Sequence, residues 1–334
     1  MRRTIAVLLA LALASCTTVT RDAGELALVR TALGGHIAEL SRAEYGGRLP
    51  GSEGDRKTRA YIVSALRSYG LEAGMRGSWE QPVEIPVERY REMGIDLPEG
   101  VETLSSANVV ARLPGTQIGS GAVVLTAHWD HLGNCGPPAA PDRLCNGAVD
   151  NASGVAALLE IARRMAEGGP AERDIYFVAT TGEEAGLVGA RAFAEDPPTP
   201  LPTIVAAFNL DSTAIAPEGT PVAVLGWGQT ALDKGIEQVV KAAGRRLSIR
   251  PQQERWVPRQ DGYVLLRRDV PSVLVSSSFA TDAVINSFVD THYHRATDEW
   301  GDHVELGGAA QDTLLHVDLL RHFGSTTSYP VGDD

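Results

Sequence analysis

Polar side chains that could bind metal ions follow several apolar segments of the sequence. The candidates are His128, Asp130, Asp150, Glu183, Glu184, Asp211 and His294. Imidazole nitrogens and carboxylate oxygens without a thiolate form a ligand set that suits zinc, or failing that cobalt or manganese. The sequence therefore predicts a metal centre built from nitrogen and oxygen ligands.

The number of these candidates is large enough for two ions. A carboxylate can bridge two cations, and two cations about 3.5–4 Å apart can share and activate one water. Glu183 and Glu184 are adjacent, which allows one to bind metal while the other acts as a general base. Gly182 and Gly186 favour a turn that would let both side chains reach one site.

The segments that must position these residues predict an α/β fold. Continuous apolar runs at 122–127, 175–179, 204–208 and 272–275 are typical of strands buried on both faces. Helices are predicted at 25–41, 61–70, 155–165, 187–193, 231–243 and 309–323, and residues 74–100 are expected to form strand fragments and loop. This alternation predicts a mostly parallel or mixed central sheet with helices on both faces. In such sheets ligands bind beyond the carboxyl ends of the strands.

Composition sets the broad class of the protein. The 334 residues are 43% hydrophobic and 22% charged, which is ordinary globular usage and argues against a disordered chain. Thirty basic against 42 acidic residues give a formal charge of −12, so nucleic acid is not an expected partner. No Pro- or Gly-rich linker divides the chain, and we predict one catalytic domain over residues 25–334.

The N-terminus predicts a targeting segment. A short basic stretch precedes a ten-residue apolar run at 5–14, so residues 1–15 are interpreted as a signal peptide. The small residues before Cys16 resemble the lipobox of bacterial lipoproteins, which implies acylation of Cys16 and a tether over residues 16–24. The expected location is the extracytoplasmic side of a bacterial cell envelope, with the lipid as the only membrane contact. A plain signal peptide with a chance cysteine is the alternative.

Two further cysteines flank a Pro-rich loop. An oxidising compartment permits a disulfide, and we predict that Cys135 and Cys145 close this loop. A metal-binding pair is the alternative, but the nine-residue gap does not suit a tight zinc knuckle.

From about residue 46 to 323 the chain resembles the zinc-dependent aminopeptidases with two co-catalytic metals. Bacterial leucyl aminopeptidases belong to this family, and glutamate carboxypeptidases and glutaminyl cyclases are relatives. The matching segments are 127–133 (AHWDHLG), 147–154 (GAVDNASG), 181–189 (TGEEAGLVG), 209–211 (NLD) and 293–294 (YH), with 47–54 (GRLPGSEG) and 108–115 (NVVARLPG) similar to earlier family segments. The resemblance implies a zinc-exopeptidase (phosphorylase/hydrolase-like) fold.

The resemblance also implies roles for individual residues. One Zn²⁺ would be bound by His128 and Asp211, the other by Glu184 and His294, and Asp150 would bridge the two. Glu183 would be the general base, and Asp130 would orient His128 through its imidazole N–H.

Other polar residues near these motifs have weaker assignments. Asp298 is a minor candidate near His294, whereas His131 and His292 are expected to be supporting or exposed. Asp261 stands where the family often has Ser-Asp-His, but here the segment is Gln-Asp-Gly. The pocket wall around Asp261 is therefore expected to differ from that of the family.

The resemblance implies an aminopeptidase that hydrolyses N-terminal peptide bonds of a peptide substrate. A glutaminyl cyclase with one zinc, or a carboxypeptidase or dipeptidase, are alternatives on the same fold. A non-enzymatic anchored protein with structural zinc is a remote alternative, because structural zinc sites are usually rich in cysteine. Four aromatic residues could line a substrate pocket or belong to the ordinary core: Trp227, Tyr263, Phe279 and Phe288.

Overall fold

A computed structural model describes residues 22–331. The predicted signal peptide and Cys16 lie outside these residues. The first helix begins at Ala23, within the predicted tether, because the Asp22 carboxylate accepts a hydrogen bond from the backbone of Gly24 at 3.3 Å and caps the helix. Over the described range no helix combines the length and apolar character needed to cross a bilayer.

Ten strands and nine α-helices are present in this part of the chain. The strands are β1 (Glu72–Ala73), β2 (Glu80–Pro86), β3 (Thr103–Leu113), β4 (Ala122–His128), β5 (Gly133–Asn134), β6 (Leu144–Cys145), β7 (Asp174–Thr180), β8 (Ile204–Asn209), β9 (Ala223–Leu225) and β10 (Ser272–Ser276). The helices are α1 (Ala23–Leu40), α2 (Glu53–Ser68), α3 (Glu88–Glu92), α4 (Gly154–Glu167), α5 (Val188–Glu195), α6 (Asp233–Ala242), α7 (Gly262–Leu266), α8 (Asp282–Thr291) and α9 (Leu306–Phe323).

Eight strands form one mixed sheet in the order β1-β3-β7-β4-β8-β10-β9, with β2 also paired to β3. The four central strands β7, β4, β8 and β10 run parallel, and antiparallel pairs extend the sheet at both sides. These four are the predicted apolar strands, and almost every residue in them is buried. The predicted α/β fold with a mixed central sheet is confirmed.

Successive side chains of each central strand enter opposite layers of the core. Val123 and Leu125 of β4 pack in the layer that contains α1, α2, α4, α6 and α9. Val124, between them, packs in the layer that contains α5 and α7. Strand residues alternate between the faces of a sheet, so a continuous apolar run requires a cover of helices on both sides.

The two short strands β5 and β6 form a separate antiparallel ladder. The predicted disulfide between Cys135 and Cys145 is present beside this ladder, with the two Cα atoms 5.8 Å apart. The intervening Pro-rich loop is therefore closed by a covalent bond.

Candidate metal centre

Five of the predicted metal ligands converge at the carboxyl ends of the parallel strands. His128 is the last residue of β4, and Glu184 and Asp211 lie in the loops that follow β7 and β8. Asp150 belongs to the irregular segment Ala148–Ser153 before α4, and its peptide bond to Asn151 is cis. His294 follows α8 with a left-handed backbone conformation (φ 56°).

The segment after β7 is a turn, as its glycines predict. Gly182 and Gly186 have φ values of 66° and 98°, which L side chains rarely adopt. The backbone N–H of Gly186 donates to the carbonyl oxygen of Glu183 at 2.7 Å. This turn brings the side chains of both Glu183 and Glu184 to the edge of the sheet.

A first group of potential ligands surrounds the imidazole of His128. Its Nε2 atom lies 3.4 Å from Asp150 Oδ1 and 3.7 Å from Asp211 Oδ1. These three atoms lie close enough together to ligate one ion.

A second group surrounds the carboxylate of Glu184. His294 Nε2 lies 2.9 Å from Glu184 Oε2 and 3.4 Å from Asp150 Oδ2. On the other side of Glu184, His131 Nδ1 lies 2.7 Å from Oε1 and 4.0 Å from Asp150 Oδ2. His131, Asp150 and Glu184 also lie close enough together to ligate one ion.

Asp150 belongs to both groups through different oxygen atoms. Oδ1 faces His128, whereas Oδ2 faces His294. Within the described residues, Asp150 Oδ2 and His294 Nε2 are both buried and have no partner at hydrogen-bonding geometry, although Nε2 lies 2.9 Å from Glu184 Oε2. Buried polar atoms normally have a partner, and nitrogen and oxygen atoms arranged in this way fit divalent zinc. The residues present therefore fit the metal that the family resemblance implies.

Protonation equilibria in the metal-free centre show its excess of negative charge. Burial lowers the pKa of His294, but the carboxyls of Glu184 and Asp150 outweigh this effect and raise it to about 11. Burial raises the pKa of Glu184, but His294 and His131 lower it to about 2. Burial likewise disfavours the charged form of His128, yet Asp130, Asp150 and Asp211 hold its pKa well above the usual value. Without metal, protons on the imidazoles balance the carboxylates.

Glu183 differs from the other acidic residues of the centre. Burial, with smaller contributions from Glu184, Asp211 and Asp261, raises the pKa of its carboxyl well above the ordinary value, although His128 opposes the shift. Its carboxylate makes no hydrogen bond or ion pair with any residue that the structure describes. A carboxyl with a raised pKa and no partner can accept and return a proton.

Asp130 contacts the backbone of the glutamate turn. Its Oδ1 and Oδ2 accept from the N–H groups of Glu183 at 3.2 Å and Glu184 at 3.4 Å. The Nδ1 atom of His128 lies 3.2 Å from the backbone carbonyl oxygen of Asp130 and 3.7 Å from Oδ1. Asp130 thus contacts His128 mainly through its main chain, while its carboxylate orients the turn.

Two further charged residues hold the segment that carries Asp150. Asp298 accepts from the backbone N–H groups of Val149 at 2.9 Å and Asp150 at 3.0 Å. Arg48 is fully buried and donates to the carbonyl oxygens of Trp129 at 2.8 Å and Gly147 at 2.8 Å. Asp298 therefore supports Asp150 rather than the neighbourhood of His294.

Sequence reasoning missed or underestimated several residues at this site. Arg48 was part of the segment 47–54 that is similar to the family, but it was given no role. A single arginine in a sequence does not indicate that its side chain is buried and structural. His131 is fully buried against Glu184, a contact that its place in the AHWDHLG segment could have suggested. His292, in contrast, is half-buried, and its Nδ1 atom lies 3.0 Å from the carbonyl oxygen of Thr297.

Asp261 is buried behind the centre. Its Oδ2 accepts a hydrogen bond from the Thr180 hydroxyl, and its Oδ1 has no hydrogen-bond partner among the described residues. Burial raises the pKa of this carboxyl to about 7. The segment 260–262, which departs from the family pattern on both sides of Asp261, therefore carries a buried acid.

Two cavities meet at the metal centre, and Glu183, Arg259 and Tyr293 line both. The first is a narrow cleft of about 40 Å³ beside His128 and Asp211. Its apolar wall consists of Leu225, Trp256, Leu274, Phe279, Ile285, Phe288 and Val289. The second is an open cavity of about 510 Å³ beside Glu184 and His294. Of the four aromatic candidates, Phe279 and Phe288 line the cleft, whereas Trp227 and Tyr263 do not.

Comparison with known families gives a match to peptidase family M28 over residues 108–316. Among curated proteins, a probable zinc metalloprotease of Pyrenophora teres f. teres is 33% identical over 140 residues, which are 42% of this chain and 28% of the fungal protein. A probable zinc metalloprotease of Pyrenophora tritici-repentis is 27% identical over 198 residues, or 58% of this chain and 39% of its own length. The matches thus span less than half of these relatives.

Solved structures share the fold. A zinc-dependent exopeptidase from Parabacteroides distasonis has a TM-score of 0.65 at 17% identity, covering 87% of this chain and 97% of that one. A zinc aminopeptidase from Bacillus subtilis has a TM-score of 0.62 at 14% identity, covering 87% and 94%. A glutaminyl cyclase from Porphyromonas gingivalis also has a TM-score of 0.62, at 19% identity, covering 86% and 97%.

Proposed function

Because the chain belongs to peptidase family M28, a family of zinc metallopeptidases, we propose that it is an aminopeptidase with two zinc ions. The observation that carries this proposal is the division of the centre around Asp150, whose two oxygens face different histidines. His128 and Asp211 would hold one ion, Glu184 and His294 the other, and Asp150 would contact both. Bound zinc would lower the pKa of a water molecule and polarise the substrate carbonyl.

The position of Glu183 and the raised pKa of its carboxyl support its assignment as the general base. It lines both cavities, so it lies between the cleft and the open cavity where a peptide bond would be cleaved. It would take a proton from water as the water oxygen bonds to the scissile carbonyl carbon. It would then give the proton to the departing nitrogen as the C–N bond breaks.

The two cavities indicate how a peptide would lie. The apolar cleft is narrow and suits one side chain, which we assign to the N-terminal residue. The remainder of the peptide would extend into the open cavity. The lipid anchor at Cys16, with an extracytoplasmic location in a bacterial envelope, remains a further proposal.

The neighbouring glutamates provide a matched pair of variants for the test. We expect Glu183→Gln to keep about two zinc ions per chain but to lower turnover of a leucyl peptide by about 100- to 10,000-fold. Glu184→Gln should instead lose bound zinc, because it removes a charged ligand. Zinc per chain and kcat would be measured on the same preparations. Near-normal turnover by Glu183→Gln would contradict the assigned base.

The same assay separates the alternative activities. An aminopeptidase releases the first residue of an unblocked peptide, whereas a glutaminyl cyclase releases ammonia from an N-terminal glutamine and leaves the chain uncleaved. Mass spectrometry of a glutamine-initiated peptide distinguishes these products. Release of the C-terminal residue from an N-blocked peptide would identify a carboxypeptidase.

A further inference from the structure

The open cavity beside the metal centre has basic walls, although the whole chain carries a formal charge of −12. Arg89 of α3 and Arg259 both line it. Among the residues that the structure describes, the acidic side chains lining it are Glu183 and Glu184, which belong to the centre itself. This cavity therefore combines a cleavage site with two cationic side chains.

Arg259 is held in place without a carboxylate partner. It ends the 3-10 helix Pro251–Arg259, and its guanidinium lies 5.3 Å from the ring centre of Trp256. It makes no hydrogen bond or ion pair with any residue in the described part of the chain. Stacking on an aromatic ring orients a guanidinium while leaving its N–H groups free.

Arg89 has only a weak internal partner. Its guanidinium lies 3.5 Å from a carboxylate oxygen of Glu92 on the same short helix, and both side chains are well exposed. An exposed pair of this kind contributes little, so Arg89 can turn toward a ligand at small cost. Both arginines therefore have donors available to a substrate.

We propose that Arg89 and Arg259 form a subsite that binds a carboxylate on the residue following the cleaved bond. The inference rests on the proposed aminopeptidase function, because the peptide must extend from the apolar cleft into this cavity. A guanidinium donates parallel hydrogen bonds to a carboxylate, which gives both affinity and orientation. The source of the carboxylate is the free C-terminus of a dipeptide or an acidic side chain.

Paired peptides distinguish these two sources. Leu-Gly and Leu-Gly-amide differ only in the terminal carboxylate, and Leu-Glu-amide and Leu-Gln-amide differ only in the side-chain charge. We expect kcat/KM to be about tenfold higher for the charged member of at least one pair. Preference in the first pair identifies a dipeptide-specific site, and preference in the second identifies selection for an acidic residue.

Substitution then tests the arginines. Arg259→Gln should reduce the charged-to-neutral ratio to about two or below, and Arg89→Gln should reduce it less. Arg255→Gln is the matched control, since Arg255 also stacks on Trp256 at 5.2 Å but lines neither cavity and pairs with Asn286 at 3.1 Å. It should keep the ratio of the unsubstituted protein.

A binding measurement separates failure of the subsite from failure of the proposed function. Calorimetry with the zinc-loaded Glu183→Gln variant compares affinity for both members of each pair without requiring turnover. Equal affinities and equal kcat/KM values in both pairs would overturn the carboxylate subsite while leaving aminopeptidase activity intact. Absence of turnover with every peptide, combined with a charge preference in binding, would overturn the activity alone.

Discussion

Replacing Arg48 by methionine should destabilise the protein and weaken its metal binding. The side chain is fully buried, and burial lowers the pKa of its guanidinium to about 10 despite the opposing effect of nearby carboxyls. It donates to five backbone carbonyl oxygens, those of Trp129 (2.8 Å), Leu40 (3.0 Å), Asn146 (2.5 Å), Gly147 (2.8 Å) and Asp150 (3.4 Å). One side chain thus joins two of the loops that carry proposed metal ligands.

The expected cost follows from these contacts. Hydrogen bonds to a charged group contribute about 1.5–3 kcal/mol each, but they are not additive when one donor group serves several acceptors. Removing one partner of a buried ion pair typically costs about 3–5 kcal/mol, and we take a similar cost for a buried guanidinium that serves several carbonyl oxygens. We therefore expect Arg48→Met to lower the free energy of unfolding of the metal-free protein by about 4 kcal/mol. Misplacement of the loops should also raise the zinc dissociation constant by about 10- to 100-fold.

Arg173 provides a control of the same chemistry in another part of the fold. It is also buried and donates to four carbonyl oxygens, those of Ser120, Phe323, Ser325 and Tyr329, at 2.7–2.9 Å. Arg173→Met should lower the unfolding free energy by a similar amount yet change zinc affinity by less than about threefold. Urea unfolding and competition with a chelator measure the two quantities. Equal zinc affinity in the two folded variants would refute the positioning role of Arg48.

Two other buried residues give separate predictions. His131→Ala removes the imidazole 2.7 Å from Glu184 and should weaken zinc binding by about 10- to 100-fold in chelator competition; unchanged affinity would contradict this role. Asp261 has a folded-state pKa of about 7, above its ordinary 3.8, so its stabilising contribution is present at low pH and lost as pH rises between these values. We therefore expect the unfolding free energy of metal-free Asp261→Asn, relative to that of the unsubstituted protein, to increase by about 2 kcal/mol from pH 5 to pH 7. Urea unfolding measures this difference, and a difference that does not change with pH would exclude the titration of Asp261.

The sequence predicted the central strands well because short, continuous apolar runs are typical of strands that are buried on both faces. For example, the run 204–208 becomes β8 with a difference of one residue. Strand β3 was not predicted, since its first half lies at a partly exposed position beside β2 and mixes polar with apolar residues. Helix α8 was also missed. It is short, and its capping by the Thr281 side chain becomes evident only from the structure.

The candidate site was predictable where side chains follow strand ends. His128 and Asp211 are placed by β4 and β8, so their approach follows from sheet topology. The approach of His294 depends on the left-handed backbone after α8, which neither periodicity nor local motif indicates. The carbonyl contacts of Arg48 likewise depend on loops far apart in sequence, and physical patterns along one chain do not reveal such contacts.

The closed loop between β5 and β6 has a consequence for the chemistry of its surroundings. The sulfur of Cys135 lies 3.3 Å from the backbone carbonyl oxygen of His294, a residue 159 positions along the chain. While it is bonded to Cys145, this sulfur is held in one position against the backbone of His294. As a free thiol, the Cys135 side chain could rotate away from it. We therefore expect reduction of the Cys135–Cys145 disulfide to loosen the position of His294 and to weaken zinc binding, so that zinc should be retained best where thiol reductants are scarce.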